Sequence, residues 1–220
     1  MPEGDSSSPR DNVVIDSIES RGAVRGAGRE KIRIRLSDGS SFLLLKEILE
    51  LAGLTESDTL SQQRLQDLLD QSDQLEAERK ALDLITRSPH SRERLKLKLL
   101  KKDFSHSSIE KALDRMEELG YLDDARFAEE WLQSRIARHP EGHRSLLGGL
   151  LHRGIDSSLA EELVNRIVTR EVEEDCAKRL LEKHAVLRSL PREKLAQRLA
   201  SRGFSSVVIR KLIEETRGDD

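Results

Sequence analysis

Aromatic residues are scarce in this chain of 220: they make up 3%, as four Phe, one Tyr and one Trp, Trp131. Charged residues make up 36% and Leu is the commonest apolar residue, a balance that suits several thin helical modules better than one deep core. A single cysteine, Cys176, excludes an internal disulfide and fits a reducing cytosol. No apolar run approaches the ~20 residues that span a bilayer, and the N-terminal MPEGDSSSPR lacks the apolar segment of a signal peptide. The expectation is a cytoplasmic protein with no membrane partner. Net charge is −3, which removes any global attraction to nucleic acid and leaves such contacts to local clustering.

Catalytic signatures are missing too. Gly22, Gly26 and Gly28 lack the Gly-Lys-Ser/Thr of a phosphate-binding loop and read as an ordinary loop carrying Arg21, Arg25 and Arg29. Asp123-Asp124 has no His or Glu nearby to complete a metal set; Asp123 stands where a helix N-cap is needed, and Asp124 lies in the first turn, where the dipole favours an anion. In His139-Pro140-Glu141-Gly142-His143 the Pro and Gly impose a turn, so the imidazoles do not share the helix face that a zinc-protease motif requires. Cys176 and His184 are not paired by anything in the sequence, and no Gly-x-Ser-x-Gly elbow is present. No enzyme activity, metal site or cofactor is expected.

What the chain does have is a pattern that returns. LKLKLLKKDFSHSSIEKAL from Leu95 is matched by LLGGLLHRGIDSSLAEEL from Leu146 and LAQRLASRGFSSVVIRKLI from Leu195. Each copy has two leucines one helical turn apart, a basic residue, then Asp103, Gly154 or Gly203, then Phe104, Ile155 or Phe204. Gly, or an Asp that tolerates the left-handed region, ends the first helix. Ser107, Ser157 or Ser205 then caps the second helix. A further helix precedes each pair, over Ala81 to Arg87, Asp124 to Arg138 and Val172 to His184. Self-similarity of this kind marks a helical repeat array.

Read in order, residues 1–11 form a disordered tail and 12–80 a β-rich extension with linker helices; repeats follow at 81–122, 123–168 and 169–216. Val13, Val14, Ile15 and Ile18, then Ile32, Ile34 and Leu36, then Phe42 to Leu45 predict a three-stranded meander, with Asp38-Gly39 as a type I′ turn. From Leu45 to Arg87 the spacing becomes helical, capped by Ser57, Thr59 or Ser61, and Asp67, Asp70, Asp73, Glu76 and Glu78 read as a solvated acidic face. After Pro89, Ser91 caps the next helix. On its wheel Arg94, Lys98 and Lys101 share one face and Leu95 and Leu99 another, with Lys102 nearer the leucines and Glu93 as the only counter-charge. Gly120 ends one helix and Asp123 starts the next, in which Phe127, Ala128 and Trp131 form an apolar face; Trp131 reads as core rather than as a stacking platform. Gly148-Gly149, inside a helix, implies close packing or local mobility.

SRERLKLKLLKKDF, LGYLDDARFAEEW and GHRSLLGGLLHRGID resemble the RecX family of bacterial regulators of the recombinase RecA, over about Ala81 to Glu215. The most specific matches are Ser91-Arg92 with Leu95, the stretch Gly120 to Ala128, and Gly142 with Arg144, Leu150, Arg153, Gly154 and Ile155. Asp103 departs from the usual Gly, and Gly148-Gly149 stand where the family has a polar helix former.

The resemblance agrees with the mostly α, elongated array of tandem three-helix repeats read above and implies a non-enzymatic protein; a monomer is expected. The resemblance also implies binding in the groove of the RecA filament and restraint of its ATPase, strand exchange and co-protease activities in DNA repair and the SOS response. Single-stranded DNA is then met directly or through the filament. Arg92, Arg94, Lys98, Lys101, Lys102, Arg144, Arg153, Arg198 and Arg202 are the expected contact residues, facing acidic RecA patches or the DNA backbone. The alternatives are a stand-alone DNA binder of helix-turn-helix type, disfavoured by the net charge, and an inert scaffold.

Overall fold

The computed structural model describes residues 12–20 and 30–215. The expected tail at Met1 to Asp11 and the loop of Gly22, Gly26 and Gly28 with its arginines lie outside them. The chain divides into two compact units, Met1–Ala81 with Leu99–Arg115, and Leu82–Lys98 with Met116–Asp220.

In the first unit, β1 (Asn12–Ser20), β2 (Lys31–Leu36), β3 (Ser41–Leu45) and β4 (Thr59–Ser61) form an antiparallel sheet of order β3-β2-β1-β4. Alternation sets its inner face: Ile32, Ile34 and Leu36 are buried while Arg35 between them is exposed. A bulge between Ile15 and Ser17 shifts the register of β1. The sheet has four strands where the sequence predicts three, because β4 is too short to show an alternating pattern. It pairs through Val13 and Leu60, and Leu60 closes the same core as Ile15, Leu44 and Ile48. The Leu45 to Arg87 stretch is therefore not helical throughout: α1 (Lys46–Ala52) precedes β4, and α2 (Gln62–Ile85) follows it. Ser61 does supply the cap, its Oγ accepting from Arg64 N at 3.2 Å.

The hairpin at Asp38-Gly39 forms, but not as a type I′ turn. That turn needs positive φ at both central residues, and only Gly39 has it, at 85°. Asp38 instead accepts from Ser40 N and Oγ, which fixes a longer connection.

The remaining helices are α3 (Arg92–Leu100), α4 (His106–Glu118), α5 (Asp124–Arg138), α6 (His143–Leu151), α7 (Ser157–Ile167), α8 (Arg170–Lys183), α9 (Arg192–Ser201) and α10 (Ser206–Glu215). With α2 they make three helix triplets in sequence. Two apolar clusters hold the second unit together, one around Leu132, Leu146, Leu150 and Leu163, the other around Leu180, Leu195, Leu199 and Leu212. Burying each such leucine is worth about 1.5–3 kcal/mol. Asp103, Gly154 and Gly203 all take the left-handed region that the helix ends need, at φ 60°, 78° and 82°. Gly120 does likewise at 71°, and Asp123 caps α5 by accepting from Arg126 N.

Two of the expected serine caps are displaced. Ser105 rather than Ser107 accepts from Ser108 N, and Asp156 rather than Ser157 accepts from Ser158 N and Leu159 N. A cap must be the last non-helical residue, and since α4 begins at His106 and α7 at Ser157, Ser107 and Ser157 already lie inside their helices. Ser205 does cap α10, accepting from Val208 N. α3 ends at Leu100, so Lys101 and Lys102 lie in the turn beyond it, both exposed; Lys101 does not extend a helical stripe, and Lys102 does not face the leucines.

Candidate partner-binding surface

Five of the nine expected contact residues, Arg92, Arg94, Arg144, Arg153 and Arg202, lie where successive helix triplets meet; Lys98, Lys101, Lys102 and Arg198 do not. At the first junction Ser91, the cap of α3, accepts from Arg94 N and donates its own Oγ hydrogen to Arg153 O in the turn after α6. Arg92 Nη1 donates to Glu117 Oε2 at 2.7 Å, and Arg94 Nη2 lies 3.5 Å from His152 O. Arg153 Nη1 donates to Gly149 O at 2.8 Å, and its guanidinium sits 4.3 Å from the centroid of Trp131. Burial is the main influence lowering the pKa of Arg153, followed by the cations of Arg94 and Arg135. It remains charged at any physiological pH.

Trp131 is thus half-buried against the α5–α7 cluster and also a stacking platform, for the chain's own Arg153, which corrects its reading as core alone. Gly149 follows from it: a Cβ there would fall 2.4 Å from the Trp131 ring. Gly148, by contrast, faces open space.

The second junction repeats the first. Gly142, the cap of α6, donates its N–H to Arg202 O at 3.0 Å, and Arg144 N donates to Gly203 O at 3.0 Å. Arg153 and Arg202 hold the same place in their repeats, as do Ser91 and Gly142. A Cβ on Gly154 would meet Glu93 Cβ at 2.6 Å, and one on Gly203 would meet Ser145 N at 2.3 Å. These glycines provide positive φ and also let two backbones approach.

Lys98, exposed on α3, lies 3.1 Å from His90 Nε2. Burial lowers the pKa of His90, and the cations of Lys98 and Arg94 lower it further, so the ring stays neutral near pH 7 and accepts from the ammonium. Arg144, Arg198 and Arg202 present exposed side chains in the second unit; Lys101 and Lys102 belong to the first unit.

Three carboxylates that hold this arrangement are absent from the expected set. Asp124 Oδ1 accepts from Arg92 N, the first N–H of α3, at 2.7 Å. Burial chiefly raises the Asp124 pKa, with the Arg92 N–H acting against it. Glu173, buried at 5% exposure, accepts from His143 N, the first N–H of α6, at 3.0 Å. It also accepts from Ser205 N at 2.9 Å and Ser205 Oγ at 2.7 Å. In the first unit Asp73 accepts from Ser105 N at 3.0 Å, so the supposedly solvated acidic face is partly engaged; Glu76 also pairs with Lys31 at 2.6 Å. Asp73 to Ser105 and Glu173 to Ser205 are both separations of 32 residues. The signal was available, since Asp73, Asp124 and Glu173 precede Leu95, Leu146 and Leu195 by one constant offset.

Among the described residues no group of three or more His, Cys, Asp and Glu could hold a metal ion, and no helix is long and apolar enough to cross a membrane. Cys176 is buried, and burial pushes its thiol pKa up.

Tandem helix triplets joined by a recurring junction, and preceded in sequence by a small antiparallel sheet, define a helical-repeat protein. The models for the first and second three-helix domains of RecX match residues 77–116 and 123–164. Regulatory protein RecX of Treponema pallidum is 35% identical over 144 residues, 65% of this chain and 87% of the relative. That of Clostridium acetobutylicum is 24% identical over 200 residues, 85% and 90% of the two chains. A crystal structure of regulatory protein RecX superposes with TM-score 0.69 at 22% identity, covering 92% of this chain and 99% of that one. The RecX structure from Lactobacillus salivarius gives 0.61 at 23% identity, covering 66% and 96%. The chain belongs to the RecX family, whose members are regulatory proteins and not enzymes.

Proposed function

We propose that this chain regulates RecA in the cytoplasm by binding the recombinase–DNA filament as a monomer, lying in its groove and restraining ATP hydrolysis, strand exchange and co-protease activity. Membership of a regulatory family carries the reading. The repeated junction supports it: each brings arginines to the surface at a fixed place in the repeat, so an array of units at 81–122, 123–168 and 169–216 meets successive filament protomers with several weak contacts that act together. Arg92, Arg94 and Arg153 supply the first of these, and Arg144 and Arg202 the second, with Lys98, Lys101, Lys102 and Arg198 around them.

The test is RecA's single-strand-dependent ATPase, with the protein added after filaments have formed. Inhibition at substoichiometric protein is expected. An unchanged rate at saturating protein, together with tight binding to naked DNA at physiological salt, refutes the proposal.

A further inference from the structure

The end of α8, the 3-10 turn Ala185–Leu187 and α9 enclose a cleft of about 840 Å³ in the third repeat. Its floor is aliphatic: Leu187 and Leu190 line it, half-buried against the cluster around Leu195 and Leu199. Val186 stands beside them, 76% exposed. Apolar surface left in water favours a partner by roughly 25 cal/mol for each Å² covered.

The rim is cationic. Lys194, Arg198 and Arg202 follow one another down one side of α9 and into its closing turn, all exposed, and no carboxylate lines the cleft. Other arginines of this unit have acidic partners within the chain, as Arg135 has Glu141 and Arg170 has Glu174. Among the described residues these three cations have none.

We propose that this cleft docks an acidic peptide segment of a partner protein, with aliphatic side chains on Leu187 and Leu190 and carboxylates against Lys194, Arg198 and Arg202. Charge complementarity selects an acidic occupant. The aliphatic floor of Leu187 and Leu190 selects peptide over single-stranded nucleic acid: no Phe, Tyr or Trp lines the cleft, and the imidazole of His184 is its one aromatic ring, short of the successive stacking platforms that a strand of bases uses. Only the identity of the partner rests on the filament reading.

The test is fluorescence anisotropy of the full chain with a short labelled peptide of Asp and Glu carrying two Leu. A matched peptide with Ser for Leu and an oligo-dT of equal length serve as competitors. Saturable binding is expected, weakened about tenfold or more by Arg198→Glu and by Val186→Asp. Both side chains are exposed, and an unchanged melting temperature verifies that each variant folds; Lys194→Glu is the second charge variant. Absence of binding up to about 1 mM, equal binding of the Ser peptide, or displacement by oligo-dT overturns the proposal. In the filament ATPase assay, a chain that binds the peptide but leaves the filament unaffected sinks the filament reading alone. Full inhibition by Arg198→Glu and Val186→Asp, with peptide binding also undiminished in both variants, sinks the cleft alone.

Discussion

Replacing Glu173 tests whether the junction between the second and third triplets depends on one carboxylate. In the folded chain Glu173 is 5% exposed and receives His143 N, Ser205 N and Ser205 Oγ at 3.0, 2.9 and 2.7 Å. Glu173→Ala removes the acceptor and leaves two backbone donors and a hydroxyl facing a cavity. A hydrogen bond to a charged group contributes about 1.5–3 kcal/mol, and the variant also removes a desolvated charge, so the net loss comes to about 3–5 kcal/mol. That is a large part of the ~5–15 kcal/mol that holds a domain folded. Glu173→Gln keeps Oε1 for both N–H groups and turns its amide to the Ser205 hydroxyl, so it costs about 1–2 kcal/mol. Urea denaturation followed by circular dichroism gives these values, and hydrogen exchange reports the His143 and Ser205 amides directly. Glu182→Ala, at an exposed position of the same helix, is the control and should stay within about 0.5 kcal/mol of the parent. An Ala variant within about 1 kcal/mol of the parent, with both amides still protected, would refute the fastening role.

Gly203→Ala should cost about 2–4 kcal/mol by urea denaturation, because φ is 82° and the new Cβ falls 2.3 Å from Ser145 N, whereas Asp103→Gly should change stability by less than about 1 kcal/mol. Arg153→Ala should shift the emission of Trp131, the single tryptophan, and cost about 1–2 kcal/mol; Arg153→Lys should not restore the spectrum, since an ammonium lacks the planar stack. Asp124 has a folded pKa raised above its unfolded value, so its protonated form favours the fold: its contribution is most favourable at low pH and is lost as pH rises through the folded pKa. Asp124→Asn should flatten that decline in a series of denaturation curves, and an unchanged pH slope would remove burial as the dominant influence on this carboxyl.

Much of this architecture could be read from the sequence because it rests on local rules. Helical spacing, left-handed Asp and Gly at the ends of helices, and Asp123 at a cap each depend on neighbours within a turn or two, and these places were legible. The β4 pairing and the bond from Asp124 to Arg92 were not, since they join residues far apart along the chain. Trp131 shows the same limit at the surface: its apolar spacing fitted a core residue, but Arg153 comes to its ring through the fold of α5 against α6. Charged residues show the same limit. Asp73 and Glu76 read as solvated because their partners, Ser105 and Lys31, are distant in sequence.

The departures from the repeat pattern become intelligible once the junction is known. Gly154 and Gly203 meet two demands, a left-handed backbone and the close approach of the preceding triplet's helix start. The first repeat follows a β-rich segment, not another repeat, so its turn meets only the backbone demand, and Asp satisfies that at φ 60°. The third repeat differs in a matching way. Ser91 donates through its hydroxyl and Gly142 through its N–H to the turn of the next triplet. The corresponding residue of the third triplet is Pro191, which has no N–H to give, and no fourth triplet follows among the described residues. Asp103 and Pro191 are therefore two places where a residue that the junctions would reject is tolerated, because among the described residues the turn of the first repeat and the helix start of the third make no such contact.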